Sequence, residues 1–379
     1  MSSITEDSAA VATEERPTDG LAESARALVE RIFEAGLGFM ELLTVYVGER
    51  LGLYVTLAAD GPATPDELAS RAGISERYAR EWLEQQASAA FLEVDDPGKP
   101  AGERRYSISP GHATALADRN SPFYIAYLSR FVPGMGAQAP AVVEAFRTGG
   151  GVPWSAFGPD VIEAQGDYNR GWLLGALGTQ YLPAIPDVHA RLQGNPPARV
   201  LDVACGAGWA SIGIALSYPN VTVVGIDPDE SSIALARKNA AEYGVGDRVR
   251  FELKDARDVA ADSPFDLAIL VESLHDMAQP VGVLAAIRRT LAPTGALVVS
   301  DEKVGDAFTA PAEFAERFCY ASSVTVCLPM GMAEQPSAAI GTMIRPDTVR
   351  RLASEAGFSQ VRILDEVEHD AQRFYRLDP

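Results

Sequence analysis

Apolar residues recur at three- and four-residue steps near the start of the chain, and this spacing predicts helices. A first series begins at Leu21, and its members are Ala25, Leu28, Val29, Ile32 and Phe33. A second apolar stretch, from about Leu37 to Leu53, predicts another helix and keeps few charges. We expect this second helix to be buried, either in its own domain or against a second copy of the chain. The polar, acidic residues 1–20 predict a disordered tail.

Two helices and a pair of strand-like segments follow. Residues 64–73 begin with Thr-Pro-Asp-Glu, the pattern of a capping box, and end with a glycine that can adopt the left-handed conformation. A second helix is expected to begin at Ser75, and segments 91–94 and 106–108 then predict a hairpin. Helix, turn, helix and hairpin together predict a winged helix within an N-terminal domain spanning residues 21–110.

The pattern changes twice in the rest of the chain. Residues 111–197 are helical and rich in aromatic side chains, and we interpret them as a helical linker and lid. In residues 198–379, apolar runs of strand length alternate with helical stretches, and the predicted strands are 200–203, 221–226, 249–253, 265–271 and 296–299. Strands buried on both faces lose the alternation of polar and apolar residues. This part therefore predicts an α/β domain with a doubly wound parallel sheet.

The amino-acid composition excludes several classes of partner. Of 379 residues, 47% are hydrophobic, and 52 acidic against 32 basic residues give a net charge of −20. Such a charge repels polyphosphate, which counts against nucleic acid as a partner. No apolar run reaches the roughly 18 residues of a membrane span, and no secretory signal is visible, so we expect a cytoplasmic protein with no membrane partner. The three cysteines and four histidines lack disulfide or zinc-ligand spacing, so no metal is expected.

The first strand of the α/β domain ends in a glycine turn that enters a helix. Asp202 is followed by Val-Ala-Cys-Gly-Ala-Gly, and such a turn lets a ligand approach the backbone and the helix N-terminus. Gly206, Gly208 and Ser211 form G-x-G-x-x-S, so the third glycine of the dinucleotide fingerprint is missing. Asp202 suits a ligand ammonium and would repel a pyrophosphate. A nucleotide-free or NAD-binding domain is the alternative interpretation.

Two further acids follow at strand ends. Asp227 ends the second strand, about 19 residues after Gly208, where a carboxylate can hold both ribose hydroxyls. Asp255 and Ala256 follow the third strand, where a carboxylate can accept a hydrogen bond from an adenine amino group. These positions favour a ligand with adenosine at one end and an ammonium at the other.

These motifs resemble those of class I S-adenosylmethionine-dependent methyltransferases. The residues that carry the resemblance are Asp202, Gly206, Gly208, Asp227 and Asp255, which fall in the family's order; the departure is Ala204, which stands where the family most often has glycine. The implied cofactor site includes these residues together with Ala204 and Ala256. With the winged helix in front, the chain resembles the two-domain small-molecule methyltransferases, particularly actinobacterial members of unassigned substrate. The resemblance implies a Rossmann-like sheet with an antiparallel last strand, and S-adenosylmethionine as the cofactor bound by these residues.

A candidate proton acceptor follows the fourth strand. His275 and Asp276 occupy the position where the resembling O-methyltransferases have a His-Asp pair that supplies the general base. Those enzymes continue with Trp-x-Asp, whereas this chain has Met277 and Gln279. A neutral imidazole can take the proton of a phenol as its oxygen is methylated. Glu302 resembles the family's acid that orients this imidazole; in the alternatives, His275 caps a helix and Glu302 is merely solvated.

Two segments are candidates for covering the acceptor: the aromatic residues 154–181 and the insertion 308–343, although core packing explains their apolar side chains equally well. We expect methyl transfer to a small apolar or aromatic molecule, most simply at oxygen. The alternatives are transfer to carbon or nitrogen, and a regulator that binds the cofactor without turnover.

The predicted winged helix is acidic. Residues 61–96 contain three basic and eight acidic side chains, the wrong sign for a phosphate backbone. In the resembling enzymes this module mediates dimerisation and closes one side of the acceptor pocket. The resemblance therefore implies a homodimer formed through the N-terminal domain, with no nucleic acid bound.

Overall fold

A computed structural model describes residues 17–260 and 263–379. Most of the predicted tail 1–20 lies outside these residues, and the first described helix begins at Pro17. Among the described residues, no single helix is long and apolar enough to cross a bilayer; only the first two helices taken together, bent by 61°, pass that test.

The N-terminal part is a winged helix preceded by a long helix. Its helices are α1 (Pro17–Arg50), α2 (Leu53–Asp60), α3 (Pro65–Ala72), α4 (Glu76–Ser88) and α5 (Pro110–Leu116), and its antiparallel strands are β1 (Glu93–Val94) and β2 (Tyr106–Ser107). The predicted capping box is present, since the Thr64 amide donates to Glu67 over 3.0 Å and the Glu67 amide donates back to the Thr64 hydroxyl over 3.3 Å. Gly73 ends α3 in the left-handed conformation, as predicted.

Helix α1 corrects the prediction of two separate N-terminal helices. It runs without interruption for 34 residues, because glycines inside a helix cost only about 1 kcal/mol each and do not stop it. The break comes at Gly52, whose φ is +66°. Several apolar side chains of the stretch 37–53 that we expected to be buried are exposed within the single chain: Leu37, Phe39, Met40 and Val47 of α1, and Leu51 just after it. Val45 and Leu53 are buried, as expected.

Residues 111–197 are helical, as predicted. The helices are α6 (Leu128–Thr148), α7 (Pro159–Trp172) and α8 (Pro186–Gln193), and α7 continues into a π-helix at Leu173–Tyr181. A buried ion network joins α6 to α7: Arg130 contacts Asp167, which also accepts from Arg119 over 2.8 Å. Buried charges are tolerated only when they are paired in this way, so the network fixes the position of α7.

The C-terminal part is a seven-stranded sheet in the order β5-β4-β3-β6-β7-β9-β8. The strands are β3 (Arg199–Val203), β4 (Thr222–Asp227), β5 (Val249–Leu253), β6 (Phe265–Val271), β7 (Leu291–Glu302), β8 (Gln360–Ile363) and β9 (Gln372–Asp378). Strands β3 to β7 are parallel, and β9 pairs antiparallel with both β7 and β8. The predicted strands and the antiparallel last strand are confirmed, although β7 begins five residues before the predicted segment 296–299.

Helices cover both faces of this sheet. They are α9 (Trp209–Ser217), α10 (Glu230–Glu242), α11 (Pro280–Thr290) and, after the insertion, α14 (Pro346–Glu355). The insertion 308–343 contains the two remaining helices, α12 (Phe314–Ser322) and α13 (Leu328–Gly331). Neighbouring residues of one strand enter different cores: Val200 packs with Ile212 on one face, whereas Leu201 packs with Leu270 on the other. Because helices bury both faces, a ligand can bind at the carboxyl ends of the parallel strands, as is usual in sheets of this kind.

Candidate active site

The glycine turn after β3 is shaped by three residues with left-handed backbone conformations. The φ angles are +53° at Ala204, +50° at Gly206 and +80° at Gly208. A Cβ at Gly208 would lie 2.6 Å from the Phe251 ring, so glycine is required there by both the backbone and the neighbouring side chain. Ala204 adopts this conformation without being glycine, at the position where the sequence departs from the resembling family.

Asp202 lies beneath this turn and is 1% exposed. Its Oδ2 accepts hydrogen bonds from the Ser211 amide over 3.0 Å and from the Ser211 hydroxyl over 2.6 Å. This contact explains why serine stands at the third motif position, because it provides two donors to the buried acid. Burial nevertheless raises the pKa of Asp202 to about 7.

Asp227 closes the other side of the turn. Its Oδ2 accepts from the Gly206 amide and its Oδ1 accepts from the Asp229 amide, each over 2.9 Å. Burial raises the pKa of this carboxyl to about 6. The structure thus brings Asp202, Gly206 and Asp227 together around one turn.

Asp255 is engaged by a partner that sequence reasoning missed. Its carboxylate accepts from the Arg257 amide over 2.8 Å and from Arg257 Nε over 3.0 Å, and these hydrogen bonds lower its pKa. Arg257 also contacts Glu334, a residue of the insertion 308–343, over 2.6 Å. Ala256 is buried beside them. The carboxylate expected to receive an adenine amino group is therefore already paired with a guanidinium.

His275 lies in a short turn after β6, and it is 3% exposed. Its Nδ1 is 2.5 Å from Asp301 Oδ1, and its Nε2 is 3.2 Å from Asp276 Oδ1. The predicted orienting role of Glu302 is therefore corrected, since Asp301 makes that contact. Successive side chains of a strand point to opposite faces, so only one of the two acids at the end of β7 can reach the imidazole.

The electrostatics of this corner are dominated by carboxylates. Burial lowers the pKa of His275, but the charges of Asp276 and Asp301 outweigh burial and hold it well above the ordinary value. Burial raises the pKa of Asp276 to about 6, and burial together with the charge of Asp301 raises that of Glu302 to about 7. A single imidazole, that of His275, therefore faces several buried carboxyl groups. Their negative charge exceeds the positive charge that the imidazole can carry, which suits a ligand that is positively charged or donates protons.

Glu272 is a further buried acid at this edge of the sheet, and the sequence analysis gave it no role. It directly follows β6 with a φ of +46°, a strained conformation for glutamate. Its carboxylate accepts from Asn169 Nδ2 over 2.7 Å, from Gln165 Nε2 over 3.1 Å and from Gln372. Glu272 therefore ties α7 to β6 and β9. The sequence does contain a signal for Glu272, because a charged residue directly after an apolar strand is a candidate for a functional site.

The two segments proposed as covers meet at the same edge. Helix α7, part of the segment 154–181, contacts Glu272 as described above. In the insertion 308–343, a Cβ at Gly331 would lie 3.3 Å from the carbonyl oxygen of Asp276, so this segment packs closely on the His275 turn. The Val152 amide donates to the Pro329 carbonyl over 2.9 Å and joins the lid to the insertion.

Cys327, a residue of the insertion 308–343, brings a thiol close to His275 and Asp276. Ligand-type atoms of His275, Asp276 and Cys327 all lie within 4.8 Å of one another. Burial raises the pKa of the Cys327 thiol to about 11. The sequence analysis did not associate these residues, because Cys327 lies far along the chain from the other two.

Comparison with known families and proteins agrees with this architecture. Residues 195–357 match the family described as "Methyltransferase domain", and residues 39–118 match the family described as "Rv2258c-like winged HTH domain". A curated relative, the ubiquinone biosynthesis O-methyltransferase of Thiobacillus denitrificans, is 29% identical over 195 residues, which are 51% of this chain and 76% of that protein. Several other curated relatives match over only 28% to 62% of their own length.

Solved structures match over nearly the whole chain. Human N-acetylserotonin methyltransferase, solved in complex with SAM, is 17% identical with a TM-score of 0.64, covering 97% of this chain and 99% of that one. The N,N-8-amino-8-demethyl-D-riboflavin dimethyltransferase RosA of Streptomyces davawensis is 22% identical with a TM-score of 0.58, covering 92% of this chain and 98% of that one. At these identities the likeness establishes the fold of both domains.

Proposed function

We propose that this chain, which belongs to the S-adenosylmethionine-dependent methyltransferases, transfers the methyl group of its cofactor to a hydroxyl oxygen of a small apolar or aromatic acceptor. The observation that carries the oxygen proposal is the pair formed by His275 and Asp301, at 2.5 Å, on the strand ends next to the glycine turn. An imidazole paired with a carboxylate is the usual arrangement of a general base and the group that orients it.

The residues around the glycine turn fit the cofactor chemically. S-adenosylmethionine supplies an activated methyl group on a sulfonium sulfur. Asp227 would accept hydrogen bonds from the ribose hydroxyls, and Asp202 would face the methionyl ammonium beside the turn that ends at Gly208. Asp255 is paired with Arg257, so we assign it and Ala256 to the wall of the adenine site, with Asp255 positioning Arg257.

The imidazole of His275 would act on the acceptor. Asp301 holds Nδ1–H, so Nε2 is the nitrogen that would receive the proton. Because the nearby carboxylates hold the pKa of His275 well above its ordinary value, Nε2 acts as a base only in the fraction of molecules whose imidazole is neutral, and that fraction rises with pH. The acceptor hydroxyl would give its proton to Nε2 of His275 as its oxygen takes the methyl group that the cofactor supplies. Because His275 is covered by the insertion 308–343, we propose that acceptor binding displaces part of this cover.

The proposal is tested by incubating the protein with isotopically labelled S-adenosylmethionine and a panel of phenols, amines and carbon acids, followed by mass spectrometry. Label on a phenolic oxygen supports it. Transfer exclusively to amines or carbon acids overturns the oxygen proposal, and binding of the cofactor without any labelled product supports the regulator alternative instead.

An amine acceptor is the second candidate, and the charge of the site favours it. Four buried or half-buried carboxylates lie near His275, namely Glu272, Asp276, Asp301 and Glu302. They could receive a protonated amine before it loses its proton to the imidazole. RosA, whose name describes an N,N-dimethyltransferase, shares the fold. A preference for amines over phenols of matched size in the same panel would decide for this candidate.

We further propose that the chain is a homodimer through the N-terminal domain. The apolar face of α1 is exposed, with Phe33 76% accessible, and a second copy of the chain would cover it. Analytical ultracentrifugation should show a dimer that Phe33→Asp weakens. Phe146→Asp, at a phenylalanine on α6 that is 68% accessible, is the matched control and should leave the dimer intact.

The winged helix is proposed to serve assembly and not nucleic-acid recognition. The basic side chains of α4 are paired within the helix, Arg77 with Glu81 and Arg80 with Glu76, and this pairing reduces their attraction for phosphates. The three free cysteines, one of them buried and two half-buried, fit a reducing compartment, and we propose that the enzyme works in the cytoplasm.

A further inference from the structure

We propose that His275, Asp276 and Cys327 form a binding site for one divalent transition-metal ion, with zinc the best match to this set of ligands. Nitrogen, carboxylate oxygen and thiolate sulfur are the three donor types that zinc takes in proteins. This inference concerns a metal, which the methyl-transfer proposal does not require. The sequence analysis expected no metal site, because it considered only the spacing of histidines and cysteines along the chain.

The first argument is geometric. The candidate ligand atoms lie within 4.8 Å of one another, and His275 Nε2 is 3.2 Å from Asp276 Oδ1. Zinc binds nitrogen and oxygen at about 2.0–2.2 Å and sulfur at about 2.3 Å, so tetrahedral ligand atoms lie roughly 3.3–3.8 Å apart. The three side chains therefore need only small movements to surround an ion.

The second argument is the support given to the histidine. Asp301 lies 2.5 Å from Nδ1 and is completely buried. Metal-ligating histidines commonly donate their other ring N–H to a carboxylate, which fixes the tautomer and the orientation of the ring. Here this contact leaves Nε2, the nitrogen nearest Asp276, free to ligate.

The third argument comes from unsatisfied polar atoms in and around the cluster. Several buried polar atoms around it have no hydrogen-bond partner in the described part of the chain, including Asp276 Oδ1, Asp301 Oδ2 and Thr342 Oγ1. Thr342 is 3% exposed, so its hydroxyl is shielded from solvent. Leaving such atoms unsatisfied is costly, and native proteins avoid it unless a water or an ion is present. An ion bound at Asp276 and Cys327 would satisfy the first of these atoms directly.

The tertiary structure explains how distant residues meet here. His275 and Asp276 lie in the turn after β6, whereas Cys327 ends the π-helical turn Ser323–Cys327 of the insertion. Single π-helical turns are frequent at functional sites, because they move one side chain out of the regular helical spacing. The metal would clamp the insertion onto the edge of the sheet.

A consequence for catalysis rests on the function proposed above. The Nε2 lone pair that would accept the acceptor proton is the same one that would bind the metal, so the two uses exclude each other. Zinc bound at this site should therefore inhibit methyl transfer, and removal of zinc by a chelator should restore it.

The test begins with direct binding. The full chain, stripped of metal with a chelator, is titrated with zinc chloride in competition with a chromophoric indicator, and the bound metal is counted by mass spectrometry. We expect one tightly bound zinc per chain, and at least tenfold weaker binding in Cys327→Ser. Cys319→Ser, at a half-buried cysteine of the same insertion, is the matched control and should bind like the wild type. Binding unchanged by Cys327→Ser, or no binding to the wild type, overturns the site.

A second measurement does not depend on the variant folding. Cobalt added to the metal-free wild type should produce an intense thiolate-to-metal charge-transfer band in the near ultraviolet, and its absence in a cobalt-bound protein overturns ligation by Cys327.

A measurement of methyl-transfer activity then separates the metal-site proposal from the general-base proposal. One bound zinc that does not inhibit methyl transfer leaves the metal site standing and removes His275 as the base, whereas inhibition without stoichiometric binding overturns the metal site.

Discussion

The acidic side chains at the carboxyl ends of β3 and β4 are held differently from those at the carboxyl ends of β6 and β7. We call these the first and the second end of the site. After β3 and β4, the carboxylates of Asp202 and Asp227 accept hydrogen bonds from Ser211, Gly206 and Asp229, all within about twenty residues. After β6 and β7, by contrast, the polar groups meet partners from α7, the insertion and β9, and several buried atoms have none among the described residues.

The difference suggests what each end does. Groups that are satisfied by their own turn are preorganised and need no partner to hold their shape, which suits a cofactor that is common to the whole family. Groups that are brought together by tertiary contacts and remain partly unsatisfied depend on something that binds. We therefore infer that the first end binds the cofactor, and that the second end is where acceptor choice and metal binding would be decided.

The sharpest test of this division is His275→Ala. We expect turnover to fall by about 10²–10⁴, the usual contribution of a general base, with little change in cofactor affinity because the cofactor end is separate. Single-turnover methyl transfer at saturating cofactor, measured from pH 6 to 10, gives the rate. The loss should shrink as the pH approaches the pKa of the acceptor, and His112→Ala, in the N-terminal domain, is the control. Equal rates for wild type and His275→Ala at neutral pH would remove the base.

A second substitution tests whether the glycine turn is rigid. Gly208→Ala must adopt a φ of +80° and place its methyl 2.6 Å from Phe251, so we expect the free energy of unfolding to fall by about 2–4 kcal/mol. Gly206→Ala has a φ of +50° with no atom within 4 Å of the new methyl, and should cost only about 1–2 kcal/mol. Urea unfolding measures both. Equal losses would mean that Phe251 yields, and the turn is less rigid than proposed.

Asp227→Ala tests the cofactor end by affinity. Losing a hydrogen bond to a charged group costs about 1.5–3 kcal/mol, so binding of S-adenosylhomocysteine should weaken by roughly 10- to 150-fold. Calorimetry gives the affinity, and Asp247→Ala, at an exposed acid, serves as the comparison. An unchanged affinity in Asp227→Ala would contradict its assignment to the ribose.

The pH dependence of cofactor binding should show the same carboxylate. Because burial raises the pKa of Asp227 to about 6, the free protein protonates this group below pH 6 and loses the acceptor for the ribose hydroxyls. Affinity should therefore be constant well above pH 7 and fall about tenfold per pH unit below 6, with Asp202, whose pKa is about 7, adding a loss in the same direction. Asp227→Asn should bind more weakly throughout and show a shallower fall. A profile as steep as that of the wild type would assign the effect elsewhere.

The smallest effect is expected at the winged helix, outside both ends of the sheet edge. A gel-shift titration with duplex DNA at low salt, where nonspecific binding is strongest, should show no appreciable affinity. A salt-dependent shift at submicromolar protein would give the N-terminal domain a role that its acidic surface argues against, and would favour the regulator alternative.

Much of the molecule followed from local patterns in the sequence. The capping box at Thr64, the strands β3 to β7 and the turn from Asp202 to Gly208 are all encoded within a few neighbouring residues, whose spacing and conformational limits act before any tertiary contact forms. The position of Asp227 at the end of the second strand also followed from sequence, whereas its hydrogen bond with this turn is a finding of the structure, in which β3 and β4 are neighbours.

The acceptor end depended on tertiary structure. The family resemblance implied Glu302 as the partner of His275, with a solvated Glu302 as the alternative, but the orientation of β7 presents Asp301, and the choice between two adjacent acids is made by the register of the sheet. The same holds for Cys327 beside His275. Such contacts join segments tens of residues apart, and side-chain spacing along the chain carries no information about them. Whether the apolar face of α1 meets solvent or another chain is likewise a property of packing, because an amphipathic pattern specifies that a face must be covered and not by what.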